Sequence, residues 1–507
     1  MSPGHRHLPP SPEDRHLPPP QEVVERALAA SRADGCAVIV EEVSQAEVRF
    51  ANNTTTTNGV RRNRRVAVVS FRALAGADAG ADADAGGPGS GTGRRRGGAA
   101  GAGPSAVGVA SGSGEVDIEA LVRASEAEAG GAGPAEDAFA PVEPGPGAGS
   151  MGSTAFDEPS VPTSPAALAG VIAGLGDAFG RARAAGNRLA GFATHGIETV
   201  YLGTSAGLRL RHAQPAGTME LVARSADGSR SVWAGAGTST FEDIDLHAFE
   251  QRLERRLAWA GRRVELPAGR YEVLLPPDAT ADLMVAMSEA MSGRDAEEGR
   301  SPFSSPGGGT KIGEPLCALP FELRGDPGEP GLEAAPFLVT AASGTDVSVF
   351  DNGLSVGPTS WIEGGRLRRL RYHRAAAAHS GVDPSPPVGN LTLALPGATA
   401  ALDDMIAGTE RALLLTCLWY IREVDPVTLL LTGLTRDGVY LVEHGEVVGA
   451  VNNFRFNESP LDVLARAVEA GRSERALSRE WGEWMNRTAM PPLRVADFNM
   501  SSVSPAT

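Results

Sequence analysis

Residues 396–460 constrain the fold of this 507-residue chain more than any other stretch. Up to Ile421, their apolar residues recur with the spacing of one helix face, which predicts a long buried helix. The apolar run between Arg411 and Arg422 covers only ten residues. Because a bilayer-spanning helix needs roughly 20 apolar residues, we expect this helix to pack inside the protein.

Two antiparallel strands are predicted immediately after this helix. Residues 440–443 and 446–451 are apolar runs separated only by His444-Gly445. A residue followed by glycine between two such runs is typical of a hairpin turn. An Asp-Gly step at residues 437–438 predicts an earlier turn of the same kind. A helix that leads into antiparallel strands favours an α+β fold.

Length and composition predict two domains. Residues 21–262 are expected to form an N-terminal domain of mixed helices and antiparallel sheet. Residues 263–500 are expected to form a strand-rich C-terminal domain that carries the long buried helix. We expect residues 1–20, rich in proline and histidine, to be a disordered tail, and residues 76–114, rich in glycine and alanine, to be a disordered insertion.

The formal net charge of −16 argues against nucleic acid as a direct partner. We interpret the basic run at residues 61–65 as a solvated strand edge, whose charge opposes aggregation, rather than as a phosphate site. The first 20 residues lack the apolar core of a signal peptide, and no apolar run reaches transmembrane length. A cytoplasmic protein without a membrane partner is therefore expected.

One motif of a catalytic nucleophile is present in the sequence. Residues 203–207 read Gly-Thr-Ser-Ala-Gly and fit the G-x-S-x-G elbow, in which a strand, a sharp turn and a helix expose the serine. The residues after Gly207 alternate as a strand, so we expect Ser205 in a hairpin turn instead. A hydrolase that uses Ser205 stays an open alternative.

Neither the cysteines nor the histidines form a recognisable site in the sequence. Cys36, Cys317 and Cys417 are odd in number and have no C-x-x-C spacing, so no disulfide framework is predicted. Cys417 falls on the apolar face of the predicted helix without a neighbouring histidine or cation, which indicates an inert buried thiol. No histidine precedes a glutamate, so no H-E-led zinc helix can be built. A zinc site assembled from distant residues stays open.

The order of several motifs along the chain resembles the TldD/PmbA family. Residues 407–416, 425–428 and 442–451 are similar to the C-terminal signature of that family, and residues 350–365 are similar to its strand-rich middle. The resemblance covers most of the chain apart from residues 1–20 and 76–114.

This resemblance implies a subunit of a two-subunit protease. The family has two kinds of protein, similar in fold, which pair as a heterodimer around a proteolytic chamber. The TldD kind holds zinc on an H-E-x-x-x-H helix and cleaves unfolded peptides, whereas the TldE (PmbA) kind lacks those ligands. The corresponding residues 274–303 contain no histidine, and Glu289 is the only acid of the predicted helix after Asp282. The chain therefore resembles the TldE kind.

The resemblance also implies the partners. It assigns no catalytic, cofactor-binding or metal-binding residue to this chain, places zinc in a TldD-type partner subunit, and makes unfolded peptide the substrate. An extended peptide could bind by adding a strand to an exposed sheet edge. Two alternatives stay open: a regulatory protein without a proteolytic role, such as a modulator of a toxin or a topoisomerase, and an autonomous hydrolase that uses Ser205 or Cys417.

Overall fold

A computed structural model describes residues 17–74, 103, 105–145 and 155–504 of the chain. Within these residues the chain forms three β-sheets with helices packed against them, which confirms the α+β class. Most of the predicted disordered tail lies outside the described residues, and Pro20 at its end already begins a helix. Among the described helices, none is long and apolar enough to span a membrane.

The first sheet is built from the N-terminal half of the chain. Its six strands are β1 (Gly35–Ala51), β2 (Thr54–Ala73), β3 (Ser105–Ser113), β4 (Asn187–Thr204), β5 (Arg209–Ser225) and β6 (Ser231–Thr238). They pair antiparallel in the order β3-β2-β1-β4-β5-β6. The helices of this half are α1 (Pro20–Ala30), α2 (Ile118–Gly131), α3 (Ala169–Ala184), preceded by a 3₁₀ turn at Pro165–Leu168, and α4 (Leu246–Trp259).

Side-chain alternation along β1 explains why this sheet is covered on both faces. Val38 and Val40 pack with residues of α1 and α2. Ala37 and Ile39 point to the opposite face and pack with Phe350, from the C-terminal half of the chain. The N-terminal sheet is thus held against the C-terminal half through its own core.

Strand β3 corrects the prediction of a disordered insertion at residues 76–114. Residues 75–102 and 104 lie outside the described part, but residues 105–113 pair with β2 along their whole length. The small residues that suggest low complexity are needed for close packing on α2. A Cβ atom at Gly108 would lie 2.1 Å from the carbonyl oxygen of Ser125, so only glycine fits there.

The basic run at residues 61–65 lies at a strand edge, as predicted. Strand β3 covers β2 only from Arg65 onward, so the preceding residues of β2 pair with β1 alone. Arg61 donates to Oε1 of Gln45 at 2.9 Å, and Arg64 pairs with Glu42. Arg61 and Arg64 are therefore engaged by the neighbouring strand.

The C-terminal half forms a six-stranded and a ten-stranded sheet. The six-stranded sheet has the order β11-β10-β9-β12-β21-β20 and consists of β9 (Glu322–Gly325), β10 (Thr359–Glu363), β11 (Arg366–Leu367), β12 (Leu391–Ala394), β20 (Glu474–Ala476) and β21 (Thr488–Met490). The helical segments of the C-terminal half are α5 (Pro277–Glu289), α6 (Gly293–Glu297), a 3₁₀ turn at Val349–Asp351, α7 (Arg374–Ser380), α8 (Leu402–Ala407) and α9 (Pro460–Ala465).

The ten-stranded sheet begins at one edge with β14 (Leu418–Asp425). The strands that follow it in spatial order are β15 (Leu430–Thr435), β18 (Phe454–Glu458), β22 (Leu493–Val503), β8 (Gly269–Leu275), β13 (Arg411–Leu415), β16 (Val439–Glu443), β17 (Glu446–Val451) and β7 (Arg263–Val264). The remaining strand, β19 (Ala467–Ala470), pairs with β22. The division into domains at residues 262 and 263 falls between α4 and β7 and stays a prediction.

The predicted hairpin at residues 440–451 is confirmed. Strands β16 and β17 pair antiparallel. His444 (φ 50°) and Gly445 (φ 81°) between them both have positive φ angles, as a type I′ turn requires.

The long buried helix predicted up to Ile421 is wrong. Only α8 is helical, and the apolar run that follows it forms β13 and the start of β14. Strand β13 lies between β8 and β16. Leu413 and Leu415 pack in one core cluster and Ala412 and Leu414 in another, so both faces of the strand are covered and it shows no alternation. A short continuous apolar run fits a buried strand as well as a helix, because periodicity cannot separate the two.

Candidate functional site

Helix α5 is the most deeply buried helix segment of the C-terminal half. It follows β8 directly and begins with Pro277, whose fixed φ angle suits the first helical position. It packs against β20, β21 and α9. It is also the helix that, by the resemblance, corresponds to the zinc helix of the TldD kind, and so its polar side chains are the first place to look for chemistry.

Two carboxyl groups on one face of α5 hold the loop at residues 477–487, which we call the β20–β21 loop. Asp278 and Asp282 are four residues apart and therefore neighbours on the helix surface. Asp278 accepts a hydrogen bond from the amide of Leu477 at 3.0 Å. Asp282 accepts from the Ser478 hydroxyl at 2.7 Å and from the Glu480 amide at 2.9 Å. The two carboxyl groups thus anchor the loop to the helix.

Burial decides the charge of these two groups. Asp282 is 1% exposed, and burial raises its pKa to about 8 although the Glu480 amide and the Ser478 hydroxyl oppose the shift. Burial likewise raises the pKa of Asp278 above its usual range, against the charge of Arg252. Asp282 therefore carries a proton near neutral pH. A protonated carboxyl is a poor metal ligand.

Arg479, from the same loop, forms a buried cationic centre. Its guanidinium lies 5.0 Å from the ring centroid of Trp233 and 4.4 Å from that of Trp419. It pairs with Asp437 at 3.1 Å and contacts the sulfur of Cys417. One arginine therefore joins the N-terminal sheet, the ten-stranded sheet and the β20–β21 loop.

The contact with Arg479 corrects the expectation that Cys417 has no neighbouring cation. The arginine lies 62 residues further along the chain, where helical spacing could not reveal it. Cys417 is nevertheless buried, as predicted, and burial raises the pKa of its thiol to about 12 against the opposing charge of Arg479. A thiol with this pKa stays protonated at neutral pH and is a weak nucleophile.

The edge strand β14 carries an exposed apolar surface next to this centre. Tyr420 has φ 52° within a bulge of the strand and is 50% exposed, and Val424 and Val427 are also exposed. A left-handed tyrosine is strained, and bulges at sheet edges commonly redirect a side chain. Within the described residues β14 pairs only with β15, so its other edge presents free backbone donors and acceptors.

The β20–β21 loop extends this surface. Arg422 of β14 pairs with Glu480 of the loop at 2.7 Å, and the rings of Trp481 and Trp484 lie 6.1 Å apart. The indole nitrogen of Trp481 donates to the carbonyl oxygen of Asp282 at 2.9 Å, which ties the surface back to α5. We call the surface formed by Trp419, Tyr420, Val424, Trp481 and Trp484 the aromatic edge. This surface was not predicted from the sequence, although two tryptophans three positions apart were a visible signal.

Ser205 lies in a turn and not at a helix terminus, as predicted. Strand β4 ends at Thr204, β5 begins at Arg209, and Gly207 between them has φ 100°. The Ser205 hydroxyl accepts a hydrogen bond from the amide of Cys36 at 2.9 Å. Its partner is a backbone amide of β1, which secures the turn to the sheet and supplies no general base.

The histidines of the described residues lie in different parts of the fold. His195 contacts the Thr163 hydroxyl at 2.6 Å, and His373 caps α7. His444 lies in the β16–β17 turn beside Glu410. In the described ranges, no group of three or more histidine, cysteine, aspartate or glutamate side chains is arranged to hold a metal ion.

The chain is similar to one protein family and to several solved structures. Residues 268–502 match the family described as the PmbA/TldA metallopeptidase C-terminal domain. Among solved structures, TldE from Thermococcus kodakarensis is similar, with 16% identity, a TM-score of 0.71, and coverage of 94% of this chain and 99% of that chain. No curated protein sequence matches the chain.

Two further structures share the fold. A candidate modulator of a DNA gyrase from Thermotoga maritima has 17% identity, a TM-score of 0.67, and coverage of 94% of this chain and 99% of its own. A candidate modulator of DNA gyrase from Bacteroides thetaiotaomicron has 14% identity, a TM-score of 0.64, and coverage of 95% and 98%. At these identities the likeness establishes the fold and leaves the function to be argued from the site.

Proposed function

Because its C-terminal half belongs to the PmbA/TldD family, we propose that this chain is the subunit without a metal site in a two-subunit cytoplasmic metallopeptidase. A partner subunit of the same family, with an H-E-x-x-x-H helix, supplies the zinc and the zinc-bound water that attacks the peptide. The chain described here completes the chamber and binds unfolded peptide. It is not catalytic alone.

One observation carries the proposal: α5 uses its carboxyl groups to hold a loop. Asp278 and Asp282 accept hydrogen bonds from the β20–β21 loop, and Asp282 is protonated near neutral pH. Zinc needs deprotonated ligands, usually histidine, cysteine or carboxylate. The sequence of α5 contains neither histidine nor cysteine. The residues present therefore do not fit zinc as the metal of the metallopeptidase that the family description names.

The aromatic edge supports the role in binding peptide. A free strand edge can pair its backbone with an extended chain of any sequence, and neighbouring apolar pockets then receive alternate side chains. Tyr420 and Trp484 are about half exposed beside such an edge. An unfolded peptide exposes both the backbone groups and the apolar side chains that this surface can bind.

A second candidate function rests on two of the similar structures, which are described as candidate modulators of DNA gyrase. In that case the chain acts by binding another folded protein, and no peptide is cleaved. The two functions differ in whether a zinc-bearing relative is required.

Reconstitution tests the proposal. The chain is purified alone and together with a co-expressed relative that carries H-E-x-x-x-H, and both samples are incubated with an unfolded peptide. We expect cleavage only by the pair, abolished by a chelator and by replacing the partner's zinc-binding histidines. Chelator-sensitive cleavage by the chain alone would contradict the proposal. A change in gyrase supercoiling caused by the chain alone, without pairing, would favour the second function.

A further inference from the structure

A cleft of about 300 Å³ lies away from α5, where the N-terminal sheet meets the ten-stranded sheet. The turn between β5 and β6 forms one wall, and the start of β16 and the end of β17 form another. This volume is at the small end of the range for ligand pockets. Asp437, the partner of Arg479, lines the cleft.

Two buried polar atoms of the cleft lack hydrogen-bond partners among the described residues. Asn452 is 4% exposed, and its Oδ1 accepts from the amide of Leu266 at 2.8 Å, which fixes the orientation of the side chain. Its Nδ2 is then left without an acceptor, and the hydroxyl of Ser231 is also unpartnered. Buried polar groups are nearly always satisfied, so an unpartnered donor at a cleft points to a missing acceptor.

The charges of the cleft leave one cation without a carboxylate. Glu265 pairs with Arg263 at 2.9 Å, and Asp437 pairs with Arg479. The Arg230 guanidinium donates to the carbonyl oxygen of Leu257, at 3.3 Å, and forms no ion pair with a residue of the described chain. Its guanidinium is therefore available to an anion.

The nearest acidic residue on the same turn does not fill this role. The carboxylate of Asp227 accepts hydrogen bonds from the hydroxyls of Ser225 at 2.6 Å and Ser229 at 2.8 Å, and these hydrogen bonds lower its pKa to about 2. The charge of Arg230 contributes to this shift, but the two side chains form no ion pair. The cleft therefore combines a guanidinium outside any ion pair with a buried amide donor, and a carboxylate can accept from both.

We propose that this cleft binds the carboxylate of a small polar molecule, with Arg230 as the counter-charge and Nδ2 of Asn452 as a hydrogen-bond donor. The carboxylate could belong to the C-terminus of a short peptide or to a free organic acid, because both present the same group. The cleft is built from residues outside α5 and the aromatic edge, and so the inference does not depend on the proposed peptidase role.

Calorimetric titration of the full chain tests this inference. The probes are N-acetylglycylglycine, its C-terminal amide, and glutarate. We expect the peptide acid to bind at least tenfold more tightly than the amide, since the amide cannot form the charge-assisted contact with Arg230. Tighter binding of the peptide acid than of glutarate identifies a peptide terminus, and the reverse identifies a free acid. Equal binding of acid and amide, or binding of neither acid, would overturn the proposal.

Two variants test the assigned residues. Asn452→Asp keeps the acceptor for Leu266 but replaces the amide donor by an anionic oxygen, so we expect affinity for the acid to fall more than tenfold. Arg230→Gln should lower it about tenfold. Asn58→Asp, on the exposed part of β2, adds the same charge far from the cleft and should leave affinity unchanged.

Thermal unfolding of each variant shows whether the fold is kept. If Asn452→Asp does not fold, the test rests on Arg230→Gln alone. The side chain of Arg230 is only partly buried, so we expect this variant to fold. Full affinity in a folded Arg230→Gln variant would overturn the proposal.

Discussion

The carboxyl group of Asp282 accepts a 2.7 Å hydrogen bond from the hydroxyl of Ser478, 196 residues further along the chain. Both side chains are buried. This contact fixes the β20–β21 loop on α5 and thereby positions Arg479 and the aromatic edge. A helix that by resemblance corresponds to a metal-binding helix is thus used here to hold a loop.

The buried Asp282 should make stability depend on pH. Its pKa is about 8 in the folded chain and 3.8 when unperturbed, so the folded state holds a proton that the unfolded state has released between these values. The free energy of unfolding should therefore fall as pH rises through this window, by at most about 1.4 kcal/mol per pH unit from this group. Asp282→Asn keeps a neutral acceptor and should lose this contribution.

Urea unfolding at several pH values between 4 and 8 measures the effect, with the pH values set by the two pKa values above. Asp383→Asn, in an exposed loop, is the matched control and should follow the parent protein. If Asp282→Asn showed the same pH dependence as the parent, Asp282 would be ionised in the folded state and the loop would be held by a carboxylate.

Removal of the cation at Arg479 should destabilise the fold strongly. Arg479→Met leaves the buried Asp437 without its ion-pair partner and removes both cation–π contacts. Breaking a buried pair in this way costs about 3–5 kcal/mol of unfolding free energy. Arg368→Met, which breaks an exposed pair with Glu363, should cost about 0–1 kcal/mol. Chemical denaturation compares the two, and equal small losses would show that Arg479 does not join the sheets.

The three thiols should react slowly in the native protein. Burial raises the pKa of Cys36 and Cys317 to about 11 and that of Cys417 to about 12. At pH 8 the thiolate fraction is therefore small at each, and a thiol-specific reagent should react fully only after denaturation. A rapid native reaction that Cys417→Ala removes would instead support a nucleophilic cysteine.

Replacement of Tyr420 should change both the stability of the fold and the binding of unfolded peptide. Its left-handed backbone costs about 1–2 kcal/mol relative to glycine. Tyr420→Gly should therefore unfold at a higher urea concentration than Tyr420→Ala, which keeps the strain. Both variants remove the exposed ring and should weaken binding of unfolded peptide, measured by fluorescence anisotropy. Unchanged binding in both would exclude the aromatic edge as the peptide site.

Local patterns predicted the elements whose neighbours in sequence are also their neighbours in space. The hairpin around His444-Gly445 follows from turn chemistry alone. The same reasoning failed at residues 411–421, because a strand buried on both faces shows no alternation and resembles a buried helix. Whether such a run is strand or helix depends on β8 and β16, which flank it in the fold.

Of the candidate site, the sequence predicted only which residue types are missing. The lack of histidine in residues 274–303 was visible in the sequence, whereas the contacts of Asp282 with Ser478 and of Cys417 with Arg479 join distant parts of the chain. No spacing rule reaches across such separations. The pKa shift of Asp282 depends on burial, which likewise arises only in the folded structure.

Zinc content, measured by mass spectrometry after dialysis, tests the central claim most directly. The measurement compares the chain alone, the pair with an H-E-x-x-x-H-bearing relative, and the pair in which that relative has lost its zinc-binding histidines. We predict no stoichiometric zinc in the chain alone, one zinc ion per intact pair, and none when the partner's histidines are replaced. Stoichiometric zinc in the chain alone, lost on Asp282→Asn, would contradict the account.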